Sequence, residues 1–123
     1  MKAFLFFFIF IFCINHSNAQ SNQVNKLPFG KYETIHKSSQ KKWDRGDIIL
    51  IDENKYKVTS SKEEGDYKFS VTAQRVFFTS GPLKSLYAKT YLNNNNPAIV
   101  LPVAENQQLG LKLPSEIWGY YKH

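Results

Sequence analysis

The stretch Asp66-Tyr67-Lys68-Phe69-Ser70-Val71-Thr72 decides the fold class. Tyr67, Phe69 and Val71 alternate with Asp66, Lys68, Ser70 and Thr72, which is the two-residue period of a strand with one dry and one wet face. Ser60-Ser61-Lys62-Glu63-Glu64-Gly65 before it reads as a turn. After it, Ala73-Gln74 bends the chain into Arg75-Val76-Phe77-Phe78-Thr79, a strand stopped by Ser80-Gly81-Pro82.

Further strands follow on either side. Lys55-Tyr56-Lys57-Val58-Thr59 puts Tyr56 and Val58 on one face and its lysines on the other, and Asp52-Glu53-Asn54 turns it back against a strand at 47–51. A strand is expected at 30–36, with Tyr32 on one face with Thr34 and His36, and Ile35 on the other. The polar linker 37–46, in which Trp43 is the lone apolar residue, separates it from 47–51. Towards the C terminus, 83–92 carries Leu86, Tyr87, Ala88 and Tyr91, and Asn93-Asn94-Asn95-Asn96-Pro97 closes it as a loop. A short buried strand at 98–101 ends at Pro102, and Leu109, Leu111 and Leu113 share one face of a further strand. Residues 116–122 form a last strand or a tail that packs Trp118 and Tyr120 over the end of the domain. No segment sustains a helical period.

The pattern is all-β, with eight or nine strands. Short antiparallel strands joined by tight turns form an up-and-down meander most economically, and closing it into a barrel of about eight strands removes exposed edges. A β-sandwich is the alternative. The barrel is preferred because nearly every connection is a hairpin.

The chain has 123 residues, which fits one domain. Its start is different in kind: Met1-Lys2 is followed by an unbroken apolar run from Ala3 to Ile14 and by Ser17-Asn18-Ala19, the layout of a secretory signal cleaved after Ala19. The run is too short for the roughly 20 residues that span a bilayer. The expected organisation is therefore a signal peptide at 1–19, a flexible polar leader at 20–28 and one domain at 29–123. The mature chain is expected to be periplasmic or secreted and to carry no transmembrane segment. Cys13 leaves with the signal, so no disulfide or cysteine nucleophile is available and stability must come from the core.

Charge and motifs narrow the function by exclusion. The net charge of +6 falls to +5 without Lys2, and the lysines are dispersed among acids. A nucleic-acid partner would call for a concentrated basic stripe with stacking aromatics, so none is expected. The mature histidines, His36 and His123, stand far apart without neighbouring ligands, so no metal is expected. The carboxylate pairs Asp44/Asp47 and Asp52/Glu53 lie in polar turns and read as solvated. Neither a Gly-x-Ser-x-Gly elbow nor a phosphate-binding glycine loop is present. No enzyme and no cofactor are expected.

Gly30-Lys31-Tyr32, the Asp52-Glu53-Asn54-Lys55-Tyr56 hairpin, Gly65-Asp66-Tyr67 and Val76-Phe77-Phe78-Thr79-Ser80-Gly81-Pro82-Leu83 together resemble small exported bacterial domains of lipocalin-like (calycin) type, over 30 to about 113. Tyr32 stands where the lipocalin Gly-x-Trp pattern has tryptophan. The resemblance implies a barrel that holds a small apolar or amphipathic molecule. Tyr32, Tyr56, Tyr67, Phe69 and Phe78 would line its pocket, with tyrosine hydroxyls orienting the ligand. The alternative is a filled core and an interaction module of the envelope or exterior, of an inhibitory, adhesive or glycan-contacting kind. In that case Trp43, Trp118 and Tyr120 would form a surface platform for sugar rings or a protein partner.

Overall fold

Period-two alternation recurs often enough along the chain for every strand to find a partner beside it in sequence. The computed structural model describes residues 23–123. The signal expected at 1–19, its cleavage point and Cys13 lie outside the described residues. The elements are β1 (Gly30–His36), β2 (Ile48–Leu50), β3 (Lys55–Val58), β4 (Glu64–Ser70), β5 (Arg75–Phe78), β6 (Tyr87–Asn93), β7 (Asn96–Leu101), a short helix α1 (Val103–Gln108) and β8 (Ile117–Tyr121). Consecutive strands pair antiparallel, and β8 pairs with both β7 and β1 to close the barrel. The 116–122 segment is thus the closing strand, and the sandwich alternative falls away.

Alternation along each strand sends one set of side chains to the axis. Tyr32, Ile48, Leu50, Tyr56, Val58, Tyr67, Val76, Phe78, Ala88, Ile99 and Ile117 are buried there. The β6–β7 connection is the two-residue Asn94-Asn95, both at positive φ (52° and 65°), a backbone that asparagine tolerates and that matches the twist of a hairpin. Gly65, read from sequence as part of a turn, sits inside β4. A Cβ there would meet the Ser80 carbonyl, the Tyr56 ring and Gly81 Cα, so glycine lets the 80–81 loop cross close to the strand.

Because the strands are antiparallel, the connections fall at two ends. The first end, where β1 begins, carries 23–29 and the turns 51–54, 71–74 and 94–95; the second carries 37–47, 59–63, 79–86 and 102–116.

Four further expectations are corrected. The leader at 20–28 is not free along its described part: Val24 and Leu27 are buried in the core. The Gln74 amide grips Val24 by both main-chain groups, accepting from its N–H (2.9 Å) and donating to its carbonyl (2.8 Å). Residues 109–113 form no strand. Instead α1 ends in a Schellman arrangement, with Gly110 at φ 82° donating to Gln107 O and Leu111 N–H to Asn106 O. β6 starts at Tyr87 rather than 83, leaving Leu83 to plug the second end. β4 stops at Ser70, so Val71 lies in a turn and is exposed.

Candidate functional site

The residues expected to line a pocket fill the barrel. Tyr32 and Tyr56 have no accessible surface, and Tyr67 and Phe78 retain 2% and 3%. At zero exposure no water-sized space, open or enclosed, touches a side chain. The rings pack on one another: Tyr56 lies 4.7 Å from Phe78 and meets Tyr67 edge-on at 6.4 Å, while Tyr32 lies 5.2 Å from Tyr121. Aromatic pairs at such separations gain about 1 kcal/mol beyond the area they bury.

The hydroxyls of Tyr32, Tyr56 and Tyr67 bind backbone groups. Tyr32 donates to Pro28 O (2.8 Å) and Tyr67 to Asp52 O (2.6 Å), both at the first end. Tyr56 donates to Ser80 O and accepts from Leu83 N–H, each at 2.8 Å, at the second. Each phenol anchors a connection that runs past the barrel mouth. Burial pushes all three phenols above the ordinary tyrosine value, Tyr67 to about 12 with help from the nearby Asp52 and Glu53 carboxylates. Phe69 differs. It is half-buried at the first end, where it lines a hollow of about 440 Å³ with Lys26, Leu27, Phe29, Glu53 and Tyr67.

A second group of aromatics lies outside. Ile117 and Gly119 of β8 are buried, so the intervening Trp118 and Tyr120 point outwards. The register sets Trp118 opposite Val100 of β7 and Ile35 of β1, and Tyr120 opposite Ala98 and Glu33; Tyr91 of β6 also faces Ala98. Trp118 stacks on Tyr120 at 5.8 Å and meets Tyr91 edge-on at 5.4 Å. Lys37 Nζ sits 4.5 Å from its ring centroid, and its indole N–H donates to Glu116 Oε1 at 2.6 Å. Ala98 and Val100 are on the outer face yet retain 0% and 1% exposure, because these rings lie across them. Tyr91 is 54% exposed, and Trp118 and Tyr120 are half-buried.

The three residues expected on a platform do not all lie together. Trp118 and Tyr120 come together, but Trp43 is buried (5%) and plugs the second end of the barrel, so it is no surface residue. Sequence reasoning missed Tyr91 as a member. Its odd-numbered neighbours on β6 share its face, but only the β6–β7–β8 register brings it to Trp118. The opposite outer face is charged: Lys55 binds Asp66 at 2.6 Å, and the two hold each other in their charged forms.

Among the described residues no group of three or more His, Cys, Asp or Glu could hold a metal, and no helix is long and apolar enough to cross a membrane. Fold and surface together define a small closed antiparallel barrel with a packed axis and an aromatic strip on one outer face. No protein family, curated protein or solved structure matches the chain.

Proposed function

We propose that this protein is an exported, non-catalytic interaction module whose outer strip of Tyr91, Trp118 and Tyr120 contacts sugar rings or the surface of a protein partner. Export, to the periplasm or beyond, rests on the leading 1–19 segment. The observation that carries the binding part is the division of the aromatics: the inner tyrosines have committed their hydroxyls to loop carbonyls, whereas the outer rings remain within reach of a partner. In this proposal the lipocalin-like resemblance concerns architecture, not a hollow interior.

The test is residue-resolved NMR of the protein titrated with solubilised envelope glycans and envelope proteins of its host. Shifts confined to Tyr91, the Trp118 indole and Tyr120, and lost in Trp118→Ala, are the expected result. Shifts centred on Tyr32, Tyr56 and Phe78 would overturn it.

A carrier of a small apolar or amphipathic molecule is the second reading. The hollow beside Tyr67 and Phe69 favours it, since about 440 Å³ falls within the range of small-molecule sites. Native and denaturing mass spectra of protein purified from its own source separate the two. A stoichiometric extra mass that leaves on unfolding supports the carrier, and a bare polypeptide mass supports the filled module.

A further inference from the structure

We propose that a cleft at the second end of the barrel binds a small amphipathic anion, apolar in its body and carrying one carboxylate or sulfonate head. The site is separate from the outer aromatic strip. The cleft has a volume of about 390 Å³, within the range of small-molecule sites. Its lining combines apolar groups, Trp43, Leu86, Leu111, Leu113 and Pro114, with Lys42, Arg45, Lys112 and His36 and the carboxylate of Asp44.

The position of each group follows from the fold. Trp43 anchors the 37–47 connection, with its N–H on Thr34 O and its own carbonyl accepting from Gly46, so its ring is a fixed wall. That anchor places Lys42 and Arg45 on either side of it at the rim. Arg45 is steadied by a 2.7 Å bond to Pro82 O, and Lys42 by Asp47 at 3.8 Å; the Asp47 carboxylate also accepts from Thr34 N–H. His36 is oriented by Ser115 Oγ at 2.9 Å. The irregular 109–115 segment, released by the C-terminal turn of α1, brings Leu111, Lys112 and Leu113 across from them.

Lys42, Arg45 and Lys112 face Asp44 in the lining and Asp47 behind Lys42, so the rim is still net positive, and this decides the sign of the ligand. The apolar wall decides the rest. A bare inorganic anion would leave that wall in contact with water, whereas a neutral apolar molecule would cover it without meeting the cations. An anion with a short hydrocarbon tail satisfies both kinds of lining group.

The two tryptophans make the test specific, because Trp43 lines the cleft and Trp118 lies on the outer strip. In ¹⁵N-labelled protein the indole signals, assigned with Trp118→Phe, are followed during titration with octanoate, 1-octanol and acetate. Octanoate is expected to shift the Trp43 indole and leave Trp118 in place. Octanol should bind about tenfold more weakly, and acetate more weakly still. Arg45→Gln combined with Lys112→Gln should bring octanoate down to the level of octanol. Lys112→Gln alone, at an exposed position on the rim, should lower octanoate affinity about threefold without touching the Arg45 anchor. Equal affinities for octanoate and octanol, an unchanged octanoate affinity in the double variant, or a Trp43 signal that octanoate never moves would each overturn the proposal. None of these outcomes bears on the outer strip, which is read from Trp118.

Discussion

Along the axis of the barrel every tyrosine ring is packed and every hydroxyl is taken: Tyr32 by Pro28, Tyr56 by Ser80 and Leu83, Tyr67 by Asp52. On the outer face of β6 and β8, Tyr91, Trp118 and Tyr120 lie over one another and over Ala98 and Val100, with Lys37 against the indole. The chemistry of the rings is the same in both places, but their free energy is committed differently. The inner set holds strands and loops together. The outer set covers two small residues and keeps part of its surface in water, so a partner can still gain from burying it.

Removing an inner ring should break this contrast most severely. Tyr56→Ala deletes a side chain with no accessible surface and strands Leu83 N–H. It is expected to cost about 4 kcal/mol in urea unfolding, or to prevent folding. A loss below about 1 kcal/mol would show that the second end is looser than its packing indicates.

Alkaline titration acts on the same set through charge. The folded phenols of Tyr32, Tyr56 and Tyr67 are raised above the unfolded value, so their contribution is whole below about pH 10. It declines as the pH passes through the folded values, Tyr67's being about 12. Phenolate absorbance of these three residues and loss of far-ultraviolet dichroism should therefore rise together above pH 10. Ionisation of the buried tyrosines well before unfolding would contradict the assignment.

Gln74→Ala should cost about 1–2 kcal/mol, because it releases both main-chain groups of Val24. Hydrogen exchange should then quicken at Val24 and leave β1 unchanged. On the outside, Trp118→Ala is expected to cost about 1 kcal/mol while removing partner contact. Tyr91→Ala should cost no more than about 0.5 kcal/mol, as for most exposed positions. An outer substitution that destabilises as much as Tyr56→Ala would erase the distinction. Smallest of all, Lys55→Met should leave the unfolding midpoint where it is, since both partners of that pair stand in solvent.

Local signals account for what could be foreseen. Alternation located β1, β3, β4 and β5 to within a few residues, and Pro102 marked the end of β7. The helix was not foreseen: six residues are too few to show a period, although Pro102 at its start, Glu105 in its first turn and Gly110 just past its end are helix-boundary signals. Trp43 and Val24 carried no such mark. Trp43 is the lone apolar residue of its polar stretch and Val24 has only Leu27 near it, and no periodicity can tell such a side chain that plugs a barrel end from one left in water. A related limit applied to Tyr91 of the outer strip, which is far along the chain from Trp118 and Tyr120.

The all-β class and most strand positions were settled by the sequence alone, because an i, i+2 pattern and the turn residues between strands are local properties of the chain. The choice of closed barrel over sandwich was not. Which aromatics are spent on the core was settled only by closure. Once β8 slots between β7 and β1, register determines which rings share the axis and which meet outside, and register depends on contacts between residues far apart in the sequence.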